Sequence, residues 1–342
     1  MLVTRQPVFR KFWHAAVPLS MLEGGKPVPF TLLGEDLVLF LDAEGRPAAV
    51  QDRCCHRTAQ LSKGFVEGDH LVCGYHGWAY DGGGRCVRIP QNEGGVAPSN
   101  ARVTAYACQA RYGYAWVCLG EPLRDIPEFP EEHSGRHRRI LQFYQRWKTS
   151  PVRVMENSFD NSHFSYVHKA NFGILEQPKP AGYRFDETDY GFEAETLVPI
   201  RNPPESYRVT GTSAPITHRH LINRYYLPFS RRFGCHYPDS GIDHIIYNCA
   251  TPIDDETIML AQWLYRSDTE ADCSTQELID WDAAITAEDR DILEATDPDV
   301  CIDINRRVEV HMSSDKPGLI IRRQLLALLQ AHGEQEVFRD SA

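Results

Sequence analysis

Two thiols and two imidazoles stand in two short clusters, Cys54-x-His56 and Cys73-x-x-His76, with sixteen residues between them. Each cluster presents one sulfur and one nitrogen. Together they can hold a two-iron, two-sulfur centre, with two cysteines on one iron and two neutral histidines on the other. Histidine ligation raises the potential of such a centre to roughly −150 to +300 mV, against about −400 mV with cysteine alone. A structural zinc ion uses the same residue types. Zinc pairs more often read C-x2-C and H-x3-H, however, and Gly74-Tyr75-His76-Gly77-Trp78 is not a zinc context. Gly64, Gly74 and Gly77 flank the clusters, where a missing side chain lets backbone N–H groups approach cluster sulfurs.

A second constellation follows in Glu156-Asn157-Ser158-Phe159-Asp160-Asn161-Ser162-His163-Phe164-Ser165-Tyr166-Val167-His168. Two histidines and a carboxylate form the facial triad of non-haem Fe(II) sites, which leaves adjacent positions open for O₂. His163 and His168 also fit as ordinary helix residues. On an ideal helix, residues five apart point about 140° away from each other. A shared iron therefore predicts a distorted helix between them, with a π-bulge as the expected form. The carboxylate has to come from elsewhere, and the segment 278–293 is rich in acids. On one helix, Leu278, Ile285 and Ile292 share an apolar stripe; Asp289 falls inside it and Asp282 lies beside it. A carboxylate on an apolar face is costly unless paired or bound to metal. Thr286 and Asp289 also have capping-box spacing, so Asp289 could simply open a helix.

The elements that must position these residues fall into two groups. From about 27 to 120, short apolar runs such as Leu37–Leu41, Leu71-Val72 and Tyr114–Leu119 alternate with turn residues, which predicts a small antiparallel β domain. Asp125–Glu132 is acidic and proline-rich and reads as a linker. Beyond it, helical patterns near 153–169 and 275–296 flank strand-like runs such as Ile245-Ile246-Tyr247 and Thr257–Leu260. The predicted class is α+β: an N-terminal antiparallel β domain over 1–125, and a catalytic domain over 126–342 with a central antiparallel sheet flanked by helices. Trp281, Asn223 and Phe164 are pocket candidates by position.

Composition narrows the function. The chain has 342 residues, and 36 basic against 47 acidic side chains leave a net charge of −11. That charge repels nucleic acid and anionic membrane alike. Eight further cysteines show no regular framework, which favours reduced thiols. Cys55 beside the first cluster reads as a small buried residue. No segment reaches the eighteen or so apolar residues that span a bilayer. The apolar run at Phe12–Val17 is short and interrupted, so it reads as mature structure and the protein as cytoplasmic.

Cys54-x-His56-Arg57 with Cys73-Gly-Tyr-His-Gly-Trp-Ala-Tyr-Asp-Gly82 resembles the cluster signature of the Rieske non-haem iron oxygenases. Cys55 and Thr58 depart from it, at positions where proline or alanine and glycine are common. The resemblance implies a [2Fe–2S] cluster on Cys54, His56, Cys73 and His76. It implies one Fe(II) per subunit on His163, His168 and a carboxylate in a Glu-Asp pair opening a late helix, which selects Asp289 of Glu288-Asp289 and leaves Asp282 as reserve. It makes Asp160 the link between His163 and His76 of the partner subunit, within a homotrimer, and Asn157 a supporting polar residue. No flavin or nicotinamide fingerprint is visible. A ferredoxin or flavin reductase fed by NAD(P)H is therefore the implied electron source. The implied reaction uses O₂ to monohydroxylate or oxidatively demethylate a small aromatic or heterocyclic molecule. A cis-dihydroxylating dioxygenase and a non-catalytic electron carrier are the alternatives.

Overall fold

A computed structural model describes residues 1–92, 94 and 97–339. Two compact units emerge: Pro7–Ile126, and Met1–Gln6 together with Pro127–Ala342.

Besides its 3-10 turns, the first unit has, among its described residues, ten short strands and one α-helical turn. They are β1 (His14–Pro18), α1 (Leu19–Leu22), β2 (Val28–Leu32), β3 (Glu35–Leu41), β4 (Pro47–Gln51), β5 (Phe65–Glu67), β6 (His70–Val72), β7 (Ala79–Tyr80), β8 (Cys86–Arg88), β9 (Ala105–Arg111) and β10 (Tyr114–Cys118). A six-stranded sheet runs β1-β10-β9-β4-β3-β2, and a four-stranded sheet runs β5-β6-β7-β8. All the pairings are antiparallel. Val38 and Phe40 of β3 pack with Val50, Leu61 and Leu71 in one apolar core that also holds Cys54 and Cys73. Each cluster loop is thus anchored by its own cysteine.

The second unit contains β11 (Arg138–Trp147), α2 (Pro151–Phe159), α3 (Phe164–Val167), β12 (Arg184–Thr188), β13 (Gly191–Arg201), α4 (Tyr207–Thr210), β14 (Ile216–Tyr226), β15 (Ser230–Tyr237), β16 (Ile242–Pro252), β17 (Ile258–Arg266), α5 (Thr275–Leu293) and α6 (Lys316–Ala331). Its seven strands form one sheet, β11-β17-β16-β15-β14-β13-β12. Alternation along β15 sends Arg231, Phe233, Cys235 and Tyr237 to the face that lines a cavity and Arg232 to the other. Ser150 caps α2, with Pro151 at the first helical position. Ser274 and Glu277 form a full capping box at the start of α5.

Two expectations need correction. The N-terminal residues belong to the second unit, because the Met1 ammonium pairs with Asp299 at 2.5 Å and the Thr4 hydroxyl donates to Asp255 at 2.7 Å. The acidic linker does contain the boundary between the units, at Ile126/Pro127, but its later residues are packed. Glu131 is buried in it, accepting from Arg232 Nη2 at 2.7 Å and from the Tyr247 hydroxyl at 2.6 Å. Burial alone would raise the Glu131 pKa, but Arg232 and Tyr247 outweigh it and hold the carboxyl below its ordinary value.

Removing one partner of a buried ion pair leaves the other charge stranded, which costs about 3–5 kcal/mol. Glu131→Ala should therefore lower the melting temperature of the second unit by roughly 10 °C. A thermal unfolding curve within about 2 °C of the parent would show that the pair contributes little.

Candidate metal centres

The two cluster loops share one backbone design. The Cys54 carbonyl accepts from Thr58 N–H at 3.0 Å, and Cys54 N–H donates to the Ala59 carbonyl at 2.8 Å. The Cys73 carbonyl accepts from Gly77 N–H at 2.9 Å, and Cys73 N–H donates to the Trp78 carbonyl at 2.8 Å. Both turns close through a left-handed residue four positions after the cysteine, with φ of 57° at Thr58 and 74° at Gly77. The His56 ring stacks on Trp78 at 4.5 Å and meets His76 edge-on at 4.6 Å. His56 Nδ1 is buried and makes no hydrogen bond. Such an orphaned acceptor fits a metal bond. Among the described residues, no three of Cys54, His56, Cys73 and His76 bring ligand atoms within 4.8 Å of one another. One zinc ion requires that convergence; two irons do not.

Thr58 is β-branched in a conformation that costs an L-residue about 1–2 kcal/mol. Thr58→Gly should stabilise the first unit by up to about 1 kcal/mol after glycine's entropy cost. A lower melting temperature for that variant would refute the strain. Cys55 is exposed rather than buried. The Tyr80 hydroxyl lies 3.0 Å from Cys54 Sγ and 3.3 Å from Cys55 Sγ, a contact the sequence reading did not find.

The second constellation is a broken helix. The predicted π-bulge is absent: α2 stops at Phe159, and α3 is a separate four-residue turn between His163 and His168. Asp160 causes the break. Its carboxylate accepts from Ser162 N–H at 2.7 Å and His163 N–H at 3.1 Å, which starts a new turn. The two imidazoles then meet from either end of that turn. His163 Nδ1–H donates to Asp160 at 3.2 Å, and His168 Nδ1–H donates to Glu288 at 2.8 Å. Both Nε2 atoms are left as acceptors 3.2 Å apart. Asp289 Oδ1 faces them at 3.5 Å from His163 and 3.3 Å from His168.

Three mutually facing acceptors need a proton or a metal cation between them. The titration shifts describe the same demand. Burial lowers the His168 pKa, but Asp289 and Glu288 outweigh it and the net shift is upward. Burial raises that of Asp289, but the two histidines and Asn157 bring it below its ordinary value. Asn157 Nδ2 donates to Asp289 Oδ1 at 3.2 Å and holds its orientation.

Asp282 lines the same cavity but does not join the converging atoms; it accepts from His244 Nε2 at 3.0 Å and from Gln142. Asp289 does not open a helix, either as a cap or within a Glu-Asp pair. It sits near the C-terminal end of α5, whose N-terminus is at Thr275. Ile292 leaves the apolar stripe and is exposed. Glu288 is the residue missed as a partner of His168, and its place beside Asp289 was the available signal.

Comparison with known proteins agrees with both halves. Residues 12–107 match the Rieske [2Fe-2S] domain family. Residues 147–331, more than half of the chain, match the vanillate O-demethylase oxygenase C-terminal domain. The chain belongs to the Rieske oxygenases. This oxygenase is 28% identical to methylxanthine N1-demethylase NdmA of Pseudomonas putida over 97% of its own length and 93% of the relative's. It is 31% identical to the 5,5'-dehydrodivanillate O-demethylase oxygenase subunit of a Sphingobium strain, over 80% of its own chain and 62% of that one. The structure of NdmA with caffeine superposes with a TM-score of 0.82 at 26% identity, covering 96% of this chain and 94% of that one. Dicamba monooxygenase bound to dicamba shares the fold, with a TM-score of 0.79 at 23% identity over 95% and 98% of the chains. The oxygenase is an oxidoreductase that incorporates O₂ and works with a [2Fe–2S] cluster and a non-haem iron. Among the described residues no helix is long and apolar enough to cross a membrane.

Beside the proposed iron ligands the oxygenase has a small cavity of about 70 Å³. Phe164 and Trp281 line it as expected; Asn223 does not. Arg219, Arg231 and His244 also line it, and the sequence reading passed over all three.

Proposed function

We propose that this chain is the terminal oxygenase of a multicomponent system, and that it monohydroxylates or oxidatively demethylates a small aromatic or heterocyclic molecule. The observation that carries the reading is the convergence of His163, His168 and Asp289 on one point at the wall of a cavity. In this reading Cys54, His56, Cys73 and His76 hold the cluster, and His163, His168 and Asp289 hold one Fe(II). When bound, the iron supplies O₂ activation at its open positions. The chain's own residues do the rest. Asp160 and Glu288 fix the histidine tautomers so that both Nε2 lone pairs face the site, and Asn157 steadies Asp289. Phe164, Phe172 and Ile285 form apolar wall that excludes water from the substrate's carbon.

The relatives named as O- and N-demethylases support demethylation as the outcome when the attacked carbon bears oxygen or nitrogen. A methyl ether then consumes one O₂, two electrons and two protons, and yields a phenol, formaldehyde and water. The electrons come from a separate ferredoxin or flavin reductase. We place the chain in the cytoplasm as a homotrimer, with Asp160 also meeting His76 of the partner subunit.

The test is turnover by the reconstituted protein with a surrogate reductase and labelled O₂, using methoxyarenes and N-methyl heterocycles. One labelled atom in a ring- or carbon-hydroxylated product, or in the formaldehyde released on demethylation with none in the phenol, is expected. Two labelled atoms in a cis-diol would establish the dioxygenase instead. Absence of any O₂-dependent product from iron-loaded protein would sink the proposal.

A further inference from the structure

Among the described residues four arginines are buried: Arg219, Arg232, Arg266 and Arg322. Three have carboxylate partners, Arg232 with Glu131, Arg266 with Asp268 and Arg322 with Glu156 and Glu309. Arg219 has no ion pair among the described residues, although it is 5% exposed. Its Nε makes no hydrogen bond. A buried charge without a direct ion pair is costly to fold around; Tyr237, Cys235 and Asp282 offset that cost and hold its pKa above the ordinary value. It borders the cavity described above, and its guanidinium lies over the Phe172 ring at 4.0 Å from the centre. The same ring is 4.8 Å from the ring of His168. Phe172 therefore touches both the cation and a proposed iron ligand.

The obvious internal partners are committed. Asp282 acts on Arg219 through space, but its own hydrogen bonds come from His244 and Gln142. The second cavity guanidinium, Arg231, bonds neutral groups, Asn248 Oδ1 at 3.1 Å and the Ser158 carbonyl at 2.6 Å. Its charge acts on Asp289. Arg219 is left as a buried cation with no carboxylate in direct contact among the described residues, at the wall of the cavity.

We propose that the substrate is an aromatic acid and that Arg219 binds its carboxylate. The proposal rests on the oxygenase reading and names the substrate class of that site. A guanidinium presents a planar fork of N–H donors that matches a carboxylate bidentately. Held against Phe172, it can receive that carboxylate while the ligand's ring continues along the apolar wall. A neutral N-methyl heterocycle would leave the cation unpaired. Arg219 is thus a specificity residue, distinct from the groups that hold metal.

The test is calorimetric binding to the reconstituted holoprotein, without reductant, of 2-, 3- and 4-methoxybenzoate and the matching methoxybenzamides. At least one acid should bind about 10-fold or more tighter than its amide. Arg219→Gln should weaken that acid by roughly 100-fold, the scale of losing a charge-assisted pair, and leave the amide unchanged. Arg219→Lys should recover part of the loss. Acids that bind no better than amides would overturn the proposal. So would a variant that weakens acid and amide equally, because Arg219 would then only support Phe172. Binding is read without turnover, so loss of acid preference with intact demethylation refutes this inference alone. Tight acid binding without O₂ chemistry refutes the oxygenase reading alone.

Discussion

Asp160→Asn should keep both metal centres and lose at least about 100-fold in turnover, the upper end for a residue that acts through a ligand. Asp160 holds three groups of its own segment: Ser162 N–H, His163 N–H and His163 Nδ1–H. An asparagine oxygen in the Oδ2 position still accepts from both His163 groups, so the tautomer that exposes Nε2 survives. The amide in the Oδ1 position faces Ser162 N–H as a donor, and that single bond is lost. What disappears is the negative charge. A carboxylate can accept from one imidazole on each side, which is what a link between His163 and His76 of the partner subunit requires; an amide cannot. Iron content and the cluster's absorption should therefore match the parent, while product formation collapses. Turnover within a few-fold of the parent would remove Asp160 from the electron path and leave it a turn-forming residue.

The sequence made the cluster loops readable because ligand spacing is local. The four residues, their glycines and the β-rich frame all lie within one short stretch. The His163/His168 step was readable in part. Period 3.6 correctly said that an unbroken helix could not bring both rings together. It did not say how the helix breaks, because the cause is an Asp160 side chain competing for backbone N–H groups. Asp289 and Asp282 could not be ranked from helical phase alone. Their separation is decided by His244 and Gln142, which arrive from distant strands. Arg219 was legible in principle. In β14 it shares the buried register with Thr217, Leu221 and Asn223, and an arginine among inward residues signals a partner. Glu131 was misread because an acidic, proline-rich run resembles a linker until Arg232 and Tyr247 are folded onto it.

Asp289→Asn and Asp282→Asn should separate cleanly, and the pair tests the ligand assignment more sharply than either alone. Asp289 Oδ1 is the anionic corner of the three-acceptor cage, so an amide there removes charge from the proposed first coordination shell. The mononuclear iron should be lost while the cluster keeps its two irons and its spectrum. Turnover should fall to background, well beyond the roughly 10–100-fold of an outer-shell change. Asp282 carries as much charge and is more deeply buried, at 3% exposed. Its bonds, however, hold His244, whose Nδ1 in turn accepts from Arg266 at 3.0 Å. Asparagine can accept from His244 but then sets its amide against the Gln142 amide, an unsatisfied contact worth about 1–3 kcal/mol. That variant should melt earlier and retain iron. Iron lost from Asp282→Asn and kept by Asp289→Asn would reverse the assignment. The contrast works because the charge is the same at the two positions and Asp282 is the more buried, so only the convergence on His163 and His168 favours Asp289 as the ligand.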